Sequence, residues 1–279
     1  MTNEMRYQSN AENTDRGLSP GIWHDILAHR LDDPSQVGFF FDDFQNFSQH
    51  VSDQDVQQYS SYIDTGVTLK QLAVEDRSEG EYGLLEVAGN DADNDEGSII
   101  TGGNSGTLAL ISDTSGQDFM LGFECRIKKA SIADNALAFF IGLSEEGLAA
   151  ADTLVNDTGE VADKDFIGFQ VLHAEGEQVN SIFRKAGQAK QTVKANVETL
   201  VADTWVKLGF LWQPGEVTAQ RIAFFVNGVK QADYVTGTQI AAATFPDGEE
   251  LALLLATKVG AAAESKFQMD WWAVGQMLF

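Results

Sequence analysis

From Val37 onward the apolar residues fall into about a dozen short runs separated by Gly, Asp, Asn and Ser, and none is long enough for a well-packed helix. The segment Asp118–Lys129 (DFMLGFECRIKK) alternates, whereas Ala136–Leu143 (ALAFFIGL) is nearly continuous. The runs at 166–173, 179–185, 205–212 and 222–226 follow at spacings suited to antiparallel neighbours, with further strands at 251–257 and 267–275. Asn227-Gly228 is the sharpest local signal. A two-residue type I′ turn needs positive φ at both central positions, which this pair supplies, so residues 221–234 are expected to form a hairpin. Trp271 and Trp272 are neighbours on a predicted strand and point to opposite faces, so at most one is expected in the core. The one helical expectation is a turn or two over 144–155. The fold class is therefore all-β.

Composition narrows the chemistry. The chain has 279 residues and a net charge of −24, and residues 1–125 hold 23 acids against 5 bases. Phosphate contacts need Lys and Arg, so neither nucleic acid nor an anionic membrane is an expected partner, and no apolar run is long enough to span a bilayer. Cys125 is the only cysteine, which excludes an intramolecular disulfide and a cysteine-based metal cluster.

Residues 1–36 differ in texture from the rest of the chain. They are polar, lack apolar periodicity and contain Pro20 and Pro34, so an extended arm is expected ahead of a sandwich domain at 37–279. The arm carries Ile22, Trp23, Ile26 and Leu27. Such anchors suit docking onto a neighbouring subunit, another copy or a capsid protein, with Trp23 as the main anchor; the alternative is a lid on the chain's own sandwich.

The segment Thr204–Gly228 and the ending Phe267–Gln276 (FQMDWWAVGQ) resemble the second half of a concanavalin A-like, or laminin G-like, jelly roll. Ser19–Trp23 (SPGIW), with Asp33-Pro34 and Phe39–Phe44 (FFFDDF), is similar to structural proteins of tailed bacteriophages. That second resemblance implies a non-enzymatic virion protein assembled in a host cytoplasm. Its role would be capsid decoration or cement bound to the major capsid or other virion proteins, with a fibre or tail component as the alternative and homo-oligomerisation expected. A lectin-like carbohydrate-binding module, meeting a host-surface glycan, is the rival from another class.

Enzymatic and metal motifs are weak. The glucanase pattern Glu-x-Asp-x-x-Glu is absent, and the close pairs Glu79/Glu81 and Glu175/Glu177 read as turns. His24, His29, His50 and His173 lack metal-ligand spacing, and Gly102–Gly106 lacks the Lys-Ser/Thr ending of a phosphate loop. No cofactor is expected, with one exception: Asp91, Asp93 and Asp95 alternate as Ca2+ ligands can, although the EF-hand pattern fails at Glu96 and Gly102. Asn156, Asp157, Asp163 and Asp165 form a weaker set of the same sort. Trp205 and Trp212 stand seven apart and so face opposite sides of a strand, which makes one of them a candidate surface ring for sugar stacking.

Overall fold

The structure, a computed structural model, describes residues 16–45, 58–72, 83–89, 92–102, 109–111, 120–214, 220–260 and 265–277. Two antiparallel sheets face each other. The first runs β14 (Val229–Val235), β13 (Ile222–Val226), β12 (Val206–Trp212), β7 (Leu121–Lys129), β16 (Ser265–Met277), β4 (Leu85–Gly89) and β3 (Val67–Gln71), and β1 (Val37–Asp42) also pairs with β16. The second runs β11 (Gln191–Thr199), β10 (Gln178–Arg184), β9 (Phe166–Val171), β8 (Leu137–Ser144), β15 (Glu250–Val259), β5 (Glu96–Thr101) and β2 (Tyr59–Ile63), with β6 (Ala109–Leu110) beside β15. From β7 onward the strands, β11 excepted, lie where the short apolar runs place them. The Asn227-Gly228 turn has φ of 49° and 76°, and Val226 pairs with Val229 across it, as a type I′ hairpin requires.

Inner-face side chains of both sheets form one large core, with Phe123, Phe139, Phe169, Phe210 and Trp272 buried between the layers. Burying these rings removes the largest apolar areas in the chain from water and is the main favourable contribution to folding. Both outer faces are also partly covered. This is why Trp271 and Trp272 point to opposite faces and yet both are buried, at 4% and 0% exposure. Only Trp272 joins the core between the sheets, and Trp271 is buried on the outer face against Phe41.

Two expectations about helices are overturned. Residues Pro20–Asp32 form a helix, α1, where an extended arm was expected. Pro20 occupies the first turn, where its missing N–H costs nothing and its fixed φ favours entry. Residues 144–155 form no helix: they pass through turns, with positive φ at Gly147 and Asp152. No helix among the described residues is long and apolar enough to cross a membrane.

Strands β11 and β14 form one edge of each sheet and have mostly exposed or half-buried side chains. Across that side of the sandwich, Lys194 Nζ lies 3.5 Å from Asp233 Oδ2.

Candidate functional site

Three features of the sheets' outer faces bear on function: the seat of α1, a polar strip beside it, and a loop over the second sheet. The seat of α1 is built from glycine. Gly275 on β16 lies directly opposite Gly122 on β7, and Gly209 sits on β12 alongside. A Cβ on Gly122 would stand 2.9 Å from Ile26 Cδ1 and 3.0 Å from Ile22 Cγ2, and one on Gly275 would meet Trp23 at 3.0 Å. Glycine in a strand marks such close approach. Ile22, Trp23 and Ile26 thus fill a small cluster with Val37, Leu211, Ala223, Phe225, Ala273 and Met277 of the same chain. The anchors expected to bind a neighbouring subunit are spent on the chain's own sheet, Leu27 included, which is half-buried and packs against the same cluster. The described part of the arm is a lid.

A buried carboxylate fastens that lid. Glu124 accepts hydrogen bonds from the Ser19 amide at 2.9 Å, from the Ser19 hydroxyl, and from Trp23 Nε1 at 2.8 Å. Lys207 Nζ donates to Ser19 Oγ and to the Gly17 carbonyl, both at 2.9 Å, and stands 4.0 Å from Glu124. Burial pushes the Glu124 carboxyl above its ordinary value, opposed by the Ser19 hydrogen bonds and the Lys207 charge. The carboxylate also meets the positive end of the helix.

Beyond the helix, the outer face of the first sheet is polar. Lys70 lies opposite Glu86, Glu86 opposite Gln268, and Gln268 opposite Lys128, giving one lateral row across β3, β4, β16 and β7. Glu86 accepts from Gln268 Nε2 at 2.8 Å and has Lys70 Nζ at 3.6 Å. The row ends at Trp205. Over that half-buried ring stand Lys128 Nζ at 4.6 Å and Arg126 Cζ at 4.4 Å, and Arg126 is paired to Asp270 at 2.5 Å. Trp212 is buried between the sheets, so Trp205 is the surface ring of the two.

The second sheet's outer face is closed by the β8–β9 connection. Leu148, Leu154 and Val161 from that connection cover Ile100, Phe140, Ile182 and Leu254. A buried pair pins it: Lys258 Nζ lies 3.0 Å from Glu96 Oε2 and donates to the Leu154 carbonyl at 2.6 Å, with Asp152 at 3.4 Å. Burial raises the Glu96 carboxyl, and the Lys258 charge opposes that shift.

The acidic sets are scattered or otherwise used. Asp91 lies outside the described residues, as do His50, Glu79, Glu81 and residues 103–106. Asp93 is exposed, while Asp95 is raised by burial and by Asp64 beside it. Asp157 exchanges hydrogen bonds with Asn94, Asp163 pairs with Arg184, and Asp165 accepts from the Ala186 amide. Asn156 is exposed. Among the described residues no three His, Cys, Asp or Glu come together as a metal site. Glu175 accepts from Asn180, and His173 is buried with Nε2 at 3.1 Å from the Lys258 carbonyl. His24 and His29 are exposed and bond locally to Asp25.

No family model matches the sequence, and no curated protein matches it closely enough to count as a relative. Solved structures do match in shape. A protein of unknown function from Shewanella oneidensis MR-1 superposes with a TM-score of 0.53 at 15% identity, covering 87% of each chain. Peanut lectin gives 0.55 at 12%, covering 87% of this chain and 98% of its own. A Bacteroides ovatus GH16 protein of a mixed-linkage glucan locus, solved with a glucan product, gives 0.51 at 14%, covering 84% and 99%. The fold is a concanavalin A-like jelly roll.

At such identity the likeness concerns the jelly roll alone. The terminal Phe267–Gln276 segment, which carried the resemblance in sequence, is the jelly roll's long strand β16, joining β1, β4 and β7. The glycine seat and the lateral polar row escaped sequence reading because both depend on register between distant strands.

Proposed function

We propose that the protein is a non-catalytic, lectin-like carbohydrate-binding module that recognises glycan on the outer face of the first sheet. The observation that carries this reading is the row Lys70–Glu86–Gln268–Lys128 ending at the Trp205 ring. Sugar hydroxyls need polar groups side by side, and a pyranose needs a flat ring to lie beside; the exposed Lys70, the half-buried Gln268 and Lys128 and the half-buried Trp205 indole stand in one line, with the buried Glu86 holding Lys70 and Gln268 in place. Lectins and glucan-binding enzymes among the neighbours of the same shape support the class.

The non-catalytic part rests on the carboxylates. A retaining glycosidase needs two carboxyl groups about 5 Å apart across the bond to be cut. Glu124 is committed to Ser19 and Trp23, Glu96 to Lys258, and Glu86 to Gln268 and Lys70. Placement on a virion leaned on the Ser19–Trp23 and Phe39–Phe44 segments. Much of their apolar surface is taken up within the chain, so glycan recognition is the better supported reading.

The test is a glycan array of neutral, uronate-bearing and sulfated polysaccharides probed with the full chain. Binding that falls at least about tenfold in Trp205→Ala and in Gln268→Ala, with unchanged melting, is the expected result. Absence of binding to every class, or equal binding by both variants, overturns it.

A further inference from the structure

A second surface stands apart from the polar row, and its chemistry differs. At the margin of α1's seat, Leu27 is half-buried against the seat cluster and Leu31, one turn later, is 66% exposed. On β1 the side chains alternate: Phe40 packs against the core, Phe39 lies edge-on to Trp23 at 5.4 Å, and Phe41 stays 43% exposed, leaning on Trp271 at 6.0 Å. Between them lie two adjoining hollows, of about 100 and 360 Å3, which share Leu18 and Leu27 as walls; Phe39, Phe41 and Trp271 line the larger and Leu31 the smaller. Trp271 Nε1 is already satisfied by the Arg16 carbonyl at 2.7 Å, so its ring offers apolar surface alone.

The core does not require these groups to be where they are. Ile22, Trp23 and Ile26 fill the seat with Leu27 packed beside them, whereas Leu31 and Phe41 leave apolar area in water at a cost on the order of 25 cal/mol per Å2. A contiguous patch of this kind marks an interaction surface. Asp25, Asp32 and Asp33 are exposed along and just after the helix. Of the two arginines on this side, Arg30 is engaged with the Phe39 carbonyl and ring, and Arg16 is part of the wall of the larger hollow.

We infer that this groove docks a basic amphipathic segment of a partner protein, whose apolar side chains enter the two hollows while its Lys and Arg residues meet the aspartates. Exposed aspartates on and just after the helix, in a chain of net charge −24, favour a cationic partner and disfavour a second copy carrying the same charge. The hollows lack the paired donors and acceptors that a sugar would need, so this surface is independent of the glycan row.

The experiment uses the full chain and a short amidated peptide with Leu at helical spacing and Lys elsewhere, followed by fluorescence anisotropy. Controls are the same peptide with Glu in place of Lys and one with the Leu positions scrambled. The inference requires that the Lys–Leu peptide bind and both controls bind at least about tenfold more weakly. It also requires that Leu27→Asp with Phe41→Asp lose that binding, and that Gln268→Ala keep it. Should the double variant misfold, Phe41→Ser serves, since its side chain is exposed. Equal binding by parent and variant, binding by either control at the parental level, or concentration-dependent dimers of the parent that the variant abolishes would each overturn it, the last by naming a second copy as the occupant.

Discussion

Trp23 Nε1 donates a 2.8 Å hydrogen bond to Glu124 Oε2, which joins the amino-terminal helix to the middle of the first sheet through a buried indole and a buried carboxylate. The same carboxylate takes both hydrogen bonds from Ser19 and faces Lys207. Removing it strands three donors and a cation out of water. Glu124→Ala is expected to destabilise the protein by about 3 kcal/mol, with earlier loss of Trp23 burial. Denaturant melts followed by tryptophan fluorescence check this, and an unchanged midpoint would refute it.

The glycine seat predicts separability of lid and sandwich. Gly122→Leu places atoms where Ile22 and Ile26 now lie, so α1 is expected to lift while the strands stay paired. Trypsin cleavage at Arg30 should accelerate at least about tenfold, with the far-ultraviolet β signal retained. Cleavage at the parental rate would show that the helix is held by something other than this close contact.

At the β13–β14 turn, both residues sit at positive φ, and a Cβ on Gly228 would stand 2.8 Å from Ser19 Oγ. Asn227→Val with Gly228→Val is expected to cost about 2–4 kcal/mol, because β-branched residues resist the left-handed region. A thermal melt that coincides with the parent's would contradict that.

Lys129 supplies a pH prediction. Burial lowers its ammonium from 10.5 to about 8, and it donates to the Gly176 carbonyl at 2.8 Å. Between those two values the unfolded chain binds the extra proton, so this group's contribution makes folding more favourable as pH rises. Relative to Lys129→Met, the parent is expected to gain about 2 kcal/mol between pH 7 and 10. A difference that stays flat across that window would show Lys129 to be charged in the native protein.

The strands and the hairpin were legible because their signals are local: Asn227-Gly228 specifies its own geometry, and runs such as 222–226 pack on any sandwich interior. Helix α1 had a local signal too, since Ser19-Pro20 followed by Ile22, Trp23 and Ile26 is an entry motif with apolar residues on one face. Reading Pro20 as a breaker rather than as a first-turn residue hid it. Strand β11 carries a local signal as well, Val193, Ala195 and Val197 alternating with Thr192, Lys194, Asn196 and Glu198, but as an edge strand it packs only Val193 and Val197 against the core and has no longer apolar run to mark it. The row through Lys70, Glu86, Gln268 and Lys128 draws on positions up to nearly two hundred residues apart, and only strand register aligns them.

The pairing of Lys194 with Asp233 bears on how the protein behaves in a concentrated solution. Among the described residues, strands β11 and β14 are the edge strands on the same side of the sandwich, and an open edge is a template on which another chain can add a strand. Charges of opposite sign held there, on strands that are otherwise polar and exposed, deter an approaching strand, which would have to strip water from both without replacing their interactions. That side of the sandwich is thereby guarded against pairing with another chain, and the guard resides in a surface ion pair that contributes little to the stability of the single chain.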